Sequence, residues 1–295
     1  MSIQFDQIGQ RLRAYRLGKN LTADEIADSI GISRAAVYRL EKGEIVKIQT
    51  LGALSELLDV SLPSLLGVGV EYYSNAIAFF ERMRQLEEAA VHVLGNFSPV
   101  SSLLFSEDYM AHLRVMLLEA IPDDHADHAK EILYIDKVLE ILNERRRSAI
   151  KRRVPIVSIV GSQDIDRFLR FGLIGRFDLP EAVRKERRAA ARREIERVCD
   201  MMERQPIGLQ IGVVAGQPPA QTFQVFEKPN ESAVTLSPYR LGDQPNISSG
   251  IALATSAPEA VRAFEETLAR QWEIARKGRD GAEVFRKLLE RTKEH

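Results

Sequence analysis

Residues 21–43 have the sequence LTADEIADSIGISRAAVYRLEKG, and this stretch decides how the N-terminal part of the chain folds. Thr22 and Glu25 have the spacing of a capping box, so a helix is predicted to begin after Thr22. Gly31 can adopt the left-handed conformation that ends such a helix. Ser33 is the predicted N-cap of a second helix. The stretch therefore predicts two short helices joined by a tight turn.

The second helix is predicted to have a buried face and an exposed face. Helical periodicity places Val37 and Leu40 inward. The outward residues are Arg34, Ala35, Tyr38 and Arg39. A preceding helix, a tight turn and a second helix with Arg and small residues near its start form the geometry that places a recognition helix in the DNA major groove.

The stretch resembles the Cro/C1-type (XRE) helix-turn-helix family. The elements L-T-x-x-E-[IL]-A, G-[IV]-S and [LI]-E-x-G stand at residues 21–27, 31–33 and 40–43. The resemblance implies an all-α, five-helix DNA-binding domain at residues 1–67 and a transcriptional regulator, with double-stranded operator DNA as its partner. Similar helix pairs also occur as plain packing units, and the three elements together favour DNA binding over that alternative.

The resemblance also implies roles for individual residues. It implies that three residues meet base edges, namely Arg34, Ala35 and Arg39. It implies that four others meet phosphates, namely Thr22, Ser33, Tyr38 and Lys42. Ala23 stands where the family often has a Gln that contacts DNA, and Lys47 adds positive charge nearby. An ion pair between Arg16 and Glu41 is expected to lock helix 1 to the recognition helix.

Charge gives the protein no general attraction to DNA. The net charge is −1, and residues 1–66 contain eight Lys/Arg and eight Asp/Glu. DNA affinity must then come from locally placed cations, each of which steepens the salt dependence by about one unit when it meets a phosphate. We therefore expect a homodimer or higher homo-oligomer.

Length and composition indicate a folded protein of about two domains, with 295 residues, 45% hydrophobic and 28% charged. The single cysteine, Cys199, suits a reducing compartment. No apolar run approaches the roughly 20 residues that a bilayer requires. These features predict a cytoplasmic protein without a membrane partner.

Residues 68–153 are predicted to be a helical linker and dimerisation region. Apolar residues in the segment 71–94 alternate four and three apart, which predicts one long helix. A coiled-coil seam and an ordinary core helix both fit that spacing. Two further helices are predicted near 107–120 and 124–152. A basic run at 145–153 fits a solvated helix end, a DNA contact or an anion site.

Residues 154–295 are predicted to be an α/β (α+β) effector-binding domain. The apolar run 154–160 indicates a buried strand, and Ile207, Leu209, Ile211 and Val213 alternate as the core face of another. Three short strands follow at 223–226, 233–236 and 251–254, and helices at 258–275 and 282–292. The run 263–275 resembles the closing helix of effector domains in some bacterial regulators, including ones with a degenerate phospholipase-D-like sheet.

Two segments could indicate ligand chemistry. The cluster at 123–128 contains Asp and His residues, but acidic residues at a helix start also complement its dipole, and the ligand set is incomplete for a metal. Gly161 and Ser162 join a strand to a helix N-terminus, a plausible seat for a carboxylate or phosphate. We expect no catalytic residues, no cofactor and no metal, because no complete Ser-His-Asp, metal-ligand or phosphate-loop set is present.

Three hypotheses remain for the whole chain. The first is a transcriptional regulator, with repression expected from family habit, that dimerises and senses a small-molecule effector through residues 68–295. The second is an enzyme fused to a DNA-binding domain. The third is a partner-dependent antitoxin or scaffold module, which copurification with a partner chain would favour.

Overall fold

The computed structural model describes residues 5–44, 47–99, 101–216 and 221–293. Within these ranges, residues 5–66 form five helices, which we call the head. They are α1 (Phe5–Gly18), α2 (Ala23–Ile30), α3 (Arg34–Glu41), α4 (Ile48–Leu58) and α5 (Leu62–Leu66). Apolar residues at helical spacing fill its core: Ile8, Leu12, Ile26, Val37, Leu54 and Leu58 are all buried.

Residues 70–293 form an α/β unit, which we call the body. Its described strands are β1 (Val70–Tyr73), β2 (His92–Phe97), β3 (Ile156–Gly161), β4 (Leu209–Val214), β5 (Thr222–Glu227), β6 (Ala233–Ser237), β7 (Ala252–Thr255) and β8 (Arg276–Lys277). They make one mixed sheet in the order β1-β7-β6-β5-β2-β3-β4-β8. β2, β3 and β4 are parallel, and the other neighbouring pairs are antiparallel.

Helices cover both faces of the sheet. They are α6 (Ala76–Ala89), α7 (Asp108–Glu119), α8 (His128–Arg152), α9 (Ser162–Phe171), α10 (Glu181–Arg204), α11 (Pro258–Ile274) and α12 (Gly278–Arg291). α11 packs on one face through Val261, Phe264, Leu268 and Trp272. The opposite face belongs to a larger apolar core that continues into the head. No helix in the described ranges is long and apolar enough to span a bilayer.

The long helix predicted over residues 71–94 is wrong. The segment is strand β1, helix α6 and strand β2, and α6 begins where Asn75 accepts bonds from the backbone N–H groups of Ile77 and Ala78. α6 is a core helix, buried on nearly all sides, and has no single coiled-coil seam. Because β1 and β2 belong to the same sheet as β3 to β8, residues 68–153 are not a separate helical linker.

The basic run at the end of α8 is built into the body. Arg145 pairs with Glu87 through two bonds of 3.0 and 2.6 Å, and both side chains are buried. Arg146 donates to the carbonyl of Ser106 at 2.8 Å. The three predictions for this run, a solvated helix end, a DNA contact and an anion site, are therefore wrong for Arg145 and Arg146.

Two smaller predictions also need correction. The sequence predicts a helix over residues 48–58 capped near Thr50, and α4 has these bounds, but its N-cap is Lys47. Ile207 is fully exposed rather than part of the core face of β4. Gly208, Gln210 and Gly212 leave the other face of this strand without bulky apolar side chains, and the sequence favours a helix over a small ligand as its cover. Helix α11 lies there, because a Cβ on Gly212 would lie 2.8 Å from the Trp272 ring.

The head is mounted on the body through α1 and α6. A Cβ placed on Gly18 would lie 2.6 Å from the Cβ of Ala78, so the two helices are in direct backbone contact there. The rings of Tyr15 and Tyr73 stack with centroids 4.9 Å apart. Close backbone approach and stacked rings fix how the head sits on α6 and β1.

A buried charged cluster, formed by Glu71, Arg82, Arg11 and Tyr73, lies at the same junction. The Glu71 carboxylate accepts bonds from Arg82 at 2.9 and 3.0 Å, from Arg11 at 3.3 Å and from the Tyr73 hydroxyl at 2.6 Å. Arg11 also donates to the carbonyls of Leu65 and Leu66 at the end of α5. We call this group the Glu71 cluster. It joins α1 and α5 of the head to β1 and α6 of the body.

Two glycine substitutions distinguish the effect of helix propensity on stability from the effect of close packing between α1 and α6. Gly52→Ala, in the middle of α4 with no atom within 4 Å of the new Cβ, should raise the free energy of unfolding by about 0.5–1 kcal/mol. Gly18→Ala should instead lower it by about 1–3 kcal/mol, because α1 must move away from α6. Chemical denaturation of both variants measures the difference. Equal stabilisation by the two would contradict the close contact of Gly18 with Ala78.

Candidate nucleic-acid interface

The first helix of the pair is closed by the predicted capping box. The Thr22 hydroxyl accepts a bond from the Glu25 N–H at 3.2 Å, and the Glu25 carboxylate accepts one from the Thr22 N–H at 2.7 Å. The Thr22 hydroxyl also donates to the Glu25 carboxylate at 2.8 Å, and the two bonds that this carboxylate accepts from Thr22 lower the pKa of Glu25. The predicted start of α2 is confirmed.

The turn at Gly31 and the cap at Ser33 also agree with the prediction from the sequence. Gly31 has φ 69°, a left-handed conformation that a side chain would resist, although no atom crowds the position. Ser33 then caps α3 by accepting a bond from the N–H of Ala36 at 3.1 Å. Local side-chain and backbone chemistry thus fixes the angle at which α3 leaves α2.

The inner side of α3 is held by packing and by an ion pair. Val37 is fully buried. The Arg16 guanidinium binds the Glu41 carboxylate at 2.5 and 3.2 Å and also donates to the carbonyl of Leu21. The predicted lock between α1 and α3 is confirmed. Because Arg16 and Glu41 are both largely buried, this pair has more effect on position than a surface pair would.

The outer side of α3 carries the four residues predicted for it, all exposed: Arg34, Ala35, Tyr38 and Arg39. The guanidinium of Arg34 lies 5.6 Å from the centre of the Tyr38 ring and 3.3 Å from the carboxylate of Asp24. Arg39 lies 3.3 Å from Glu44. Exposed pairs such as these contribute little to stability. Both arginines can therefore exchange their carboxylate partners for DNA at small cost.

The predicted flanking residues have different environments. Lys42, the C-cap of α3, and Lys47, the N-cap of α4, are both exposed. The hydroxyls of Thr22 and Ser33 are exposed but are engaged in their caps. The prediction that Ala23 contacts DNA is wrong for its side chain, because this residue is 4% exposed and packs in the head core.

Sequence reasoning missed the acidic neighbours of the two arginines. Asp24 lies in α2 and reaches Arg34 only because the turn at Gly31 folds the two helices together. Glu44 follows α3 and meets Arg39 from its C-terminal end. Neither pair has the regular helical spacing that would indicate it in the sequence. Both carboxylates lower the positive potential of the exposed face and must move aside for an anionic partner.

Comparison with known families agrees with this geometry. Residues 12–65 match the family model HTH_3, described as Helix-turn-helix. No curated protein matches the chain. The matched range begins in α1, contains the whole of α2, α3 and α4, and ends in α5. Residues 12–65 are therefore a helix-turn-helix domain of the Cro/C1 (XRE) type, the type of a DNA-binding regulator of transcription.

Proposed function

We propose that the protein is a sequence-specific repressor that binds palindromic operators as a dimer and responds to a small molecule through its body, which acts as a sensor and not as an enzyme. The observation that carries this proposal is the exposed outer face of α3, with Arg34 and Arg39 projecting from a helix whose inner side is locked. A locked helix with exposed outer side chains can present the same donors to every DNA site.

The size of α3 suits the DNA major groove. An α-helix with its side chains is about 10–12 Å across, which matches the width of about 12 Å of that groove. Arg34 and Ala35 lie at the N-terminal end of α3, the end that recognition helices point at base edges. In the proposed complex Arg34 reads a guanine through two bonds, and the short Ala35 side chain lets the helix approach the bases closely.

The low charge of a single head supports the dimer in this proposal. The head is nearly neutral, and the two exposed arginines of α3, Arg34 and Arg39, already face carboxylates. Two heads related by a two-fold axis would double the phosphate and base contacts and would meet half-sites about 34–36 Å apart, or a multiple of that distance. A sensed molecule would act by favouring one arrangement of the two heads over another.

The first experiment is selection of bound fragments from a random double-stranded library with the purified full-length protein. The selected site is then titrated at two salt concentrations, with random DNA as the comparison. A palindromic site bound far more tightly than random DNA would support the proposal. Weak binding that ignores sequence would contradict it and would favour a partner-dependent module instead.

Substitutions on α3 should separate base reading from phosphate contact. Arg34→Ala should weaken the selected site by about 1–3 kcal/mol per half-site and relax its sequence preference. Lys42→Ala should weaken selected and random DNA alike and reduce the salt slope by about one. Arg270→Ala, an exposed arginine on α11, is the matched control and should change neither. Equal small effects of all three would contradict the assignment of α3 as the reading helix.

A further inference from the structure

A cavity of about 490 Å³ opens at one end of the sheet. β2 and β6 end there, β5 and β7 begin there, and the first turns of α9 close one side. The residues that matter for its chemistry are Asp164, Arg167, Arg240, Asn96, Leu236 and Leu253. The volume lies within the range of pockets that hold small organic molecules.

The charged side of the cavity is built on one buried carboxylate. Asp243 is 1% exposed and lies 3.1 Å from Nε of Arg167 and 3.3 Å from Nη2 of Arg240. Arg240 also donates to the Asp243 carbonyl at 3.1 Å. Both guanidinium groups are therefore held in place from behind. Held arginines lose less conformational freedom when they bind an anion than free surface arginines do.

The two arginines keep donors that Asp243 does not use. Nε of Arg167 is buried and lies near Asp243 without making a hydrogen bond to it. Each guanidinium has five N–H groups, and one buried carboxylate cannot accept bonds from all ten. More than a third of each arginine side chain is exposed. The remaining donors can serve an acceptor in the cavity.

The charges around the cavity favour a ligand with one negative charge over a ligand with two. Arg167, Arg240 and Asp243 leave one positive charge before Asp164 is counted. The other ionisable group that lines the cavity is Asp164, and burial raises the pKa of its carboxyl, while a hydrogen bond from Ser98 and the charge of Arg167 act in the opposite direction. Asp243 and Arg240 are the remaining charged groups that act on Asp164. With Asp164 ionised the four groups sum to zero, so a single carboxylate leaves one negative charge in the site, whereas a dianion would leave two.

The opposite side of the cavity is apolar. Leu236 on β6 and Leu253 on β7 are register partners, so their side chains lie together on one face of the sheet. Pro238 and Ile251 extend this wall toward solvent. The Asn96 amide closes the inner end by donating to the carbonyl of Gln221 at 2.6 Å. A ligand that fits both walls has an anionic group at one end and an apolar body at the other.

We propose that this cavity binds a small organic monocarboxylate, with its carboxylate on Arg167 and Arg240 and its apolar body against Leu236 and Leu253. Binding stands on the cavity alone, whereas a role for the ligand as an effector rests on the proposed function. Leu253 pairs in register with Tyr72 of β1. The residue before Tyr72 is Glu71, which binds Arg11 of the head. The apolar wall of the site is therefore one strand away from the Glu71 cluster.

Calorimetric titration of the full-length protein tests the site. The probes are sodium butyrate, hexanoate, benzoate and 3-phenylpropionate, with hexanamide and benzamide as uncharged controls and inorganic phosphate as the alternative anion. We expect at least one carboxylate to bind once per chain with a Kd below about 1 mM, and the uncharged amides to bind at least about tenfold more weakly.

Variants locate the binding. Arg240→Lys keeps a positive charge near Asp243 but loses the planar fork of donors, and Leu253→Trp fills the cavity. Each should weaken the carboxylate by about tenfold or more. Arg176→Lys, outside the cavity and paired with Asp123 and Asp178, should bind like the unmodified protein. Circular dichroism and thermal unfolding confirm that each variant is folded.

Three outcomes would overturn this assignment: no carboxylate binds, carboxylates bind equally to all variants, or phosphate alone binds. DNA binding is measured on the same preparation with the selected site. If the protein binds its selected DNA site but no carboxylate, the proposed ligand site is contradicted and the proposed regulator is not. If it binds a carboxylate but no specific DNA, the proposed function is contradicted and the ligand site is not.

Discussion

Glu71→Ala is expected to lower the free energy of unfolding by about 3–5 kcal/mol. The substitution leaves Arg82, which is 1% exposed, and Arg11, which is 4% exposed, without the carboxylate that both bind. An uncompensated buried charge is costly because it has lost its water and gained no partner. Urea denaturation followed by circular dichroism measures the loss.

The matched control for this prediction is Glu88→Ala on α6. Glu88 is half exposed and pairs with Arg84 at the surface, so its loss should cost about 0–1 kcal/mol. A Glu71→Ala variant that is no less stable than Glu88→Ala would contradict the role of the Glu71 cluster in joining the head to the body.

The same carboxylate should make the protein sensitive to acid. Burial alone would raise the pKa of Glu71, but Arg82 and Arg11 together bring it below its ordinary value. A lowered folded-state pKa contributes stability above the ordinary carboxyl pKa of about 4.3, and that contribution is lost as pH falls through the lowered value. In Glu71→Ala this part of the acid-induced loss should disappear. An unchanged pH dependence below pH 4 would contradict it.

Phe285→Ala is expected to have an effect of similar size, about 3–5 kcal/mol. Phe285 is fully buried on α12, which packs against α10 and β4. Removal of its ring opens a cavity under α12. Lys287→Ala on the exposed side of α12 is the control and should change stability by less than about 0.5 kcal/mol.

Cys199 provides a second measurement of the same prediction. Its side chain is fully buried on α10, 3.8 Å from the carbonyl of Ala282, and burial raises the pKa of the thiol to about 11. Labelling by a thiol reagent near neutral pH therefore requires the body to open. Phe285→Ala should raise the labelling rate by about a hundredfold or more. An unchanged rate would show that α12 does not protect Cys199.

The sequence predicted those parts of the fold that local chemistry determines. The capping box at Thr22, the left-handed turn at Gly31 and the cap at Ser33 each involve residues within a few positions, and each is present. The segment 181–204 is rich in helix-forming residues and follows Pro180, which predicts the helix Glu181–Arg204 that the structure has. The exposure of Arg34 and Arg39 followed from helical periodicity alone.

What the sequence did not predict depends on partners far along the chain. The helical spacing of residues 71–94 does not reveal β1, because Glu71 pairs with Ala254, more than 180 residues later, and nothing near Glu71 indicates that pairing. The basic run at 145–153 does not reveal that Arg145 is buried, because its partner, Glu87, lies on another helix. Arg240, which lines the cavity, and Asp243 behind it lie in a segment without periodicity, so the sequence indicates only the strand-to-helix junction at Gly161 and Ser162.

The mounting of the head by α1, α6 and the Glu71 cluster has a consequence for operator architecture. A head on a flexible tether could follow a half-site to a new position, but this head can turn only with its body. Inserting one base pair between half-sites rotates one of them by about a tenth of a turn relative to the other. In the proposed dimer we therefore expect a narrow tolerance for spacer length, with single base-pair insertions costing as much as the loss of one half-site.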